Sequence, residues 1–181
     1  MTSLERLARL LPSSFVPGLR LQAEADDGFL RALFVARRWE EVRAAPGWTD
    51  AQRVAFLHAQ AELQQRHYAL HYRSAEFLLL EHQGQPIGRL CLQVDASEVR
   101  VVDIALLPAW QGKGLGSTLL AAVLALADGQ HTRCALSVEP FNPARRLYAR
   151  LGFEVVGEQG LYLQMQRPLT QTCAEGAHME P

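Results

Sequence analysis

The chain has 181 residues, enough for one compact domain with a real core and few for two. It is 49% hydrophobic and 20% charged, with a formal net charge of −1. It therefore lacks the basic surplus that binding to nucleic acid or to an anionic membrane needs.

Leu4, Leu7 and Leu11 share one face of a short helix that Pro12 stops. From Leu19, L-R-L-Q-A-E alternates apolar and polar and predicts a strand. Asp26 or Asp27 is placed to cap a helix reaching about Arg43, after which A-A-P-G-W breaks the chain. T-D-A-Q, Thr49 to Gln52, has capping-box spacing and opens a longer helix to about Tyr72. E-F-L-L-L-E-H and I-G-R-L-C-L-Q-V, joined by Q-G-Q-P, predict a β-hairpin. V-R-V-V-D-I-A-L-L is a third strand, ended by Pro108. A glycine-rich loop follows, then a helix from about Gly114 to Ala127, and R-C-A-L-S-V is another strand. Asn142 and Pro143 start a helix to about Leu151. F-E-V-V and L-Y-L-Q-M form a last hairpin around G-E-Q-G. The order is strand, two helices, three strands, helix, strand, helix, two strands, which is α+β with a mixed sheet covered by helices. Residues 1–18 read as a helix and linker, 19–167 as one domain, and 168–181 as a tail without periodicity.

Cys91, Cys134 and Cys173 are odd in number, far apart and form no C-x-x-C, as in a reduced cytoplasmic protein. The first residues carry charges throughout and lack the apolar core of a signal peptide. No apolar run approaches membrane-spanning length. The expected localisation is cytoplasmic, with no membrane and no nucleic-acid partner.

Gln111-Gly112-Lys113-Gly114-Leu115-Gly116 is the chemically pointed stretch. Lys113 is the single lysine; the other seventeen of the eighteen basic residues are arginine. Backbone without Cβ atoms approaches a ligand closely and adopts positive φ. Its N–H groups and the start of the next helix suit phosphate oxygens. A nucleoside-triphosphate loop needs G-x-x-x-x-G-K-[ST], and Lys113 is in the wrong place for it. A dinucleotide fingerprint needs G-x-G-x-x-G, and here the spacing is G-x-G-x-G. Neither fits.

Q/R-x-x-G-x-G/A does fit, from Gln111 to Gly116, between a strand ending L-L-P and a helix. About 30 residues on, N-P-A-R-R-L-Y-A-R-L-G-F, Asn142 to Phe153, matches N-x-A-x-x-L-Y-x-x-x-G-F. On these two blocks the chain resembles the GCN5-related N-acetyltransferase (GNAT) family over roughly residues 19–167. The resemblance implies a mixed, mostly antiparallel sheet of about six to seven strands and acetyl-coenzyme A as cosubstrate. It implies that the strands V-V-D-I-A-L-L and C-A-L-S-V splay apart to admit the pantetheine arm. It implies that Leu106 and Leu107 pair with that arm, and that Gln111, Gly112, Lys113, Gly114, Leu115, Gly116 and Ser117 hold the phosphates. Asn142 would bond the pantetheine and Tyr148 would protonate the sulfur. No metal is implied.

Acetyl transfer to an amine needs the amine neutral, although an unperturbed ammonium has a pKa near 10. It also needs donors for the oxyanion. Asp103 alternates with Ala105 and Leu107 on the strand entering the site, placed to take the proton, directly or through water, or to orient the amine. Glu98 and Glu139 lie nearer strand ends and are poorer candidates. Tyr148, Leu147 and Leu151 would also suit plain helix packing. His67 and His71 are four apart, as two zinc ligands would be, but Tyr68 stands where a zinc hydrolase keeps glutamate and no third ligand is evident. The H-Y-A-L-H-Y stretch is a candidate border of the acceptor groove. The expected function is acetyl transfer from coenzyme A to a primary amine by direct attack in a ternary complex. The acceptor is a small amine or a protein N-terminus or lysine. The alternative is a non-catalytic acyl-coenzyme A-binding sensor or interaction domain on the same fold, and the expected assembly is a monomer or homodimer.

Overall fold

The structure, a computed structural model, describes residues 2–169. From residue 170 on, the expected tail, with Cys173, lies outside the described residues. The elements are α1 (Ser3–Leu10), β1 (Gly18–Leu21), α2 (Asp27–Arg43), α3 (Asp50–His71), β2 (Glu76–His82), β3 (Gln85–Val94), β4 (Glu98–Leu106), α4 (Leu115–Gly129), β5 (Arg133–Val138), α5 (Arg145–Arg150), β6 (Glu154–Gln159) and β7 (Tyr162–Arg167). The seven strands form one sheet in the order β1-β2-β3-β4-β5-β7-β6. Only β4 and β5 are parallel. The sheet is therefore mixed and mostly antiparallel, as expected.

Local chemistry explains the element ends. Thr49 Oγ1 accepts the Gln52 N–H at 3.2 Å, and Gln52 Oε1 accepts the Thr49 N–H at 2.8 Å, the reciprocal cap that T-D-A-Q predicts. Gln83 and Gly84 both have positive φ, so the β2–β3 turn is a two-residue turn whose twist matches the strands. The last hairpin is tighter than expected. β6 and β7 run on to pair Gln159 with Tyr162, because left-handed Gly160 allows a short turn. Asp26 does not cap α2. It accepts two hydrogen bonds from Arg20, each 2.8 Å, and one from the Ala23 N–H. The helix after Asn142 starts later than expected, because Pro143 and Ala144 form a turn first.

The sheet has two different faces. One carries Leu78, Leu80, Leu90, Leu92, Val99, Val101, Leu136 and Val138 against α1 and the buried leucines of α4. Leu119 and Leu120 are at most 1% exposed, and each such side chain contributes about 1.5–3 kcal/mol by leaving water. Leu7 is fully buried in the same core, and Glu76 on β2 accepts the N–H groups of Ser3 and Leu4, so α1 is part of this body. The other face carries Arg89, Cys91 and Asp103. It faces the α2–α3 pair, whose Arg37 and Gln64 reach across to it.

A bulge decides what Asp103 meets. Strict alternation would put Asp103 with Val99 and Val101 on the leucine face. The register instead pairs Cys91 with Asp103 and Leu92 with Val101, leaving Val102 as an extra residue. One extra residue reverses the facing of everything after it. Ile104 and Leu106 thus join the leucine face, while Asp103 turns to the α2–α3 side.

Candidate active site

β4 and β5 pair only from Glu98↔Arg133 to Val101↔Leu136. Past the bulge they separate. β5 stays with β7 as far as Val138↔Leu163, and β4 stays with β3 as far as Leu106↔Gly88. A split therefore opens within the sheet, with backbone on both lips.

The hydrogen-bond phase of β4 determines which groups face the split. The Leu107 N–H donates to the Ile87 carbonyl at 2.9 Å. Leu106 and Gly88 are thus a pair whose own N–H and C=O groups point away from each other. For Leu106 that direction is the β5 side. Leu107, expected to pair with the arm beside Leu106, has its N–H taken by Ile87, and its carbonyl accepts the Trp110 N–H at 2.8 Å. Gly88 lets β3 approach this closely: a Cβ there would lie 2.6 Å from the Ala105 carbonyl oxygen.

The glycine loop continues the same lip. Gly112 and Gly114 have φ of 70° and 81°, and α4 starts directly after Gly114. Thr118 makes the first bond of the helix, to the Gly114 carbonyl at 3.0 Å. Among the described residues, the N–H groups of 112–117 have no backbone partner. Nothing lies within 4 Å of a Cβ built at Gly112, Gly114 or Gly116. Open amides next to a helix start fit a diphosphate by their donors and their positive potential. The Gln111 side chain does not point into this cradle; its Nε2 donates to the Leu106 carbonyl at 2.9 Å. Lys113 Nζ sits 5.0 Å from the Trp110 ring centre, and His82 packs on the same ring.

A charged cluster lies under the split, on the α2–α3 side. Arg89 is 5% exposed. Its Nε donates to Asp103 Oδ2 at 2.9 Å, its Nη2 makes a close contact with the same oxygen, and Nη2 also donates to Gln64 Oε1 at 3.0 Å. The Arg89 guanidinium lies over the Tyr68 ring, 5.5 Å from its centre. Arg37 Nη1 reaches Asp103 Oδ1 at 3.4 Å. Burial alone would push the Asp103 carboxyl up, but Arg89 and Arg37 outweigh it and hold the group below the ordinary carboxylate range. Burial pushes the Cys91 thiol up to about 12 and raises Tyr68 as well.

Tyr148 is 8% exposed and packs edge-on against Phe153, with ring centres 6.0 Å apart. Burial, and secondarily the Asp103 charge, raise its pKa, so it stays protonated through neutral pH. Asn142 Oδ1 accepts the Ala144 N–H at 2.9 Å, which orients the residue after β5. Glu98 lies at the paired end of β4, away from the split, bound to Arg100 and Arg133. Glu139 is bound by Arg38 at 2.9 Å. His67 and His71 are exposed neighbours, with ring centres 4.3 Å apart. Phe141 is 98% exposed and contributes nothing to the core.

Arg89, Gln64 and Arg37, which gather around Asp103, were not anticipated beside it. A signal existed. Arg89 is the one charge in β3, and Asp103 is the one charge in the V-V-D-I-A-L half of β4; charges so buried are almost always paired.

The family model described as the acetyltransferase (GNAT) family matches residues 39–153. A 5-NmdU N-acetyltransferase of Pseudomonas phage PaMx11 is 34% identical over 90 residues, which cover 48% of this chain and 63% of that protein. The chain thus spans less than two thirds of that relative's length. Among solved structures, the PaiA N-acetyltransferase of Thermoplasma acidophilum in complex with coenzyme A is similar in fold, with a TM-score of 0.62. The two are 18% identical over 84% of this chain and 98% of the other. An acetyltransferase of Thermus thermophilus gives a TM-score of 0.60 at 22% identity, over 85% and 97%. The chain belongs to the acetyltransferase (GNAT) family.

Proposed function

We propose that the protein moves an acetyl group from acetyl-coenzyme A to a primary amine, by direct attack while both substrates are bound. The observation that carries this reading is the split: the outward amide of Leu106 and the unpartnered amides of 112–117 form one continuous lip. The coenzyme supplies the activated thioester. The amides of 112–117 and the start of α4 bind its phosphates, with Lys113 beside them. The Leu106 N–H binds the pantetheine arm and polarises the thioester carbonyl, and Asn142 borders the same arm. Gln111 fixes the Leu106 peptide through its carbonyl.

The Tyr148 hydroxyl, protonated at neutral pH, donates to the departing sulfur. Asp103 orients groups on the acceptor side and takes no proton, because two arginines stabilise its charged form and weaken it as a base. The amine loses its proton to water. The relative named as an N-acetyltransferase supports a nitrogen acceptor.

Titration calorimetry with coenzyme A and acetyl-coenzyme A, followed by thiol release over a panel of amines, tests the reading. Heat with both ligands and amine-dependent thiol release are expected. Absence of heat with either ligand rejects it.

A further inference from the structure

Arg37 is the one charged side chain of the inner cluster whose charge is left over. Asp103 accepts from Arg89 at one oxygen and, at the longer 3.4 Å, from Arg37 at the other. Arg89 is enclosed, with its second partner Gln64 neutral. Two guanidinium groups and one carboxylate leave a surplus of one positive charge. Among the described residues Arg37 has no other hydrogen bond or ion pair. Its side chain is 29% exposed, against 6% for Arg89, so it is the member that solvent and ligands reach. The neighbouring Arg38 does not share this state, because Glu139 and Glu41 both bind it.

Position adds a second constraint. Arg37 stands on α2 over β4 beside the split, and its charge is felt at Tyr148. An ammonium brought here would meet a net positive cluster. That favours the neutral amine needed for attack, but it weakens binding of a simple cationic amine. The loss is recovered if the acceptor also carries an anion. A carboxylate or phosphate presents two oxygens to the planar fork of a guanidinium, a strong and directional pairing.

Building on the transferase reading, we infer that Arg37 reads an anionic group on the acceptor, so the preferred acceptors are amines bearing a carboxylate or a phosphate close to the nitrogen.

The test uses matched pairs: L-amino acids against their amides for the carboxylate arm, and O-phosphoethanolamine against ethanolamine for the phosphate arm. Thiol release gives kcat/KM for each. Calorimetric titration of the same amines into protein saturated with coenzyme A gives affinity without turnover. The expected result is a preference for the anionic member in at least one arm, and the arm that shows it identifies the anion. Arg37→Gln lowers that preference about 10- to 100-fold, the worth of a hydrogen bond to a charged group, mostly through KM. Arg37→Lys keeps part of it, and Arg43→Gln, on the exposed end of α2, keeps all of it. The inference is overturned if the wild-type protein prefers neither anion, or if Arg37→Gln leaves the preference intact. Anion-dependent heat that Arg37→Gln abolishes, with no thiol release from any amine, would reject the transferase reading and uphold this one.

Discussion

Arg37 and Arg38 are neighbours on α2, yet they hold opposite lips of the split. Arg37 Nη1 lies 3.4 Å from Asp103 Oδ1 on β4, and Arg38 Nη1 lies 2.9 Å from Glu139 Oε1, just past β5. One turn of helix therefore bridges the two strands where the sheet no longer does. Two ion pairs from one helix thus span the opening.

Tyr148→Phe removes the hydroxyl and keeps the ring packed on Phe153. Turnover should fall by about 10²-fold, as for loss of a general acid. Affinity for coenzyme A by calorimetry should stay near the wild-type value. Unchanged turnover, with chemistry rate-limiting, would remove Tyr148 from the reaction.

Asp103→Asn separates an orienting carboxylate from a base. Arg89 and Arg37 keep Asp103 ionised throughout the neutral range, so a rise of activity with pH near neutrality is not its titration. The variant should lose activity yet keep the midpoint of the wild-type acidic limb. Disappearance of that limb would restore Asp103 as the proton acceptor.

Gly114→Ala probes the loop. φ is 81° there, and an L-residue in this region costs about 1–2 kcal/mol. The Cβ itself meets nothing within 4 Å, so the core should stay intact and the loss should fall on the cradle. Coenzyme affinity should drop about 10-fold or more, while thermal unfolding shifts by a few degrees. Wild-type affinity would detach the loop from phosphate binding.

Acid should act through Asp26 before the core fails. Hydrogen bonds from Arg20, and next from the Ala23 N–H, lower its carboxyl from 3.8 to about 2. A lowered folded-state pKa means that the stabilisation is complete above about pH 4 and is lost as pH falls through about 2. Urea titrations across that window should show stability falling with acid in the wild type. Arg20→Gln should be less stable at neutral pH and flatter in this window. Parallel wild-type and variant curves would show that the pair contributes nothing.

Much of this protein can be read from its residues in order. The reciprocal cap at Thr49, the turn at Gln83-Gly84, the hairpin signal of β2 and β3 and the spacing Gln111 to Gly116 depend only on neighbours a few positions apart. Such features determine where elements begin, end and bare their backbone, and with them the family. The facing of Asp103 is different in kind. Its own neighbours put it among valines, and a single unpaired residue, Val102, visible only once β3 is beside it, turns it toward Arg89, Arg37 and Tyr68. The same holds for Leu106 and Leu107: the hydrogen-bond phase across to Ile87 and Gly88 turns the Leu106 groups outward and ties up the Leu107 N–H. Local periodicity carries the elements because they are built from short-range bonds. Register, and hence the charge that stands beside the split, is a relation between distant strands, and only their packing decided it.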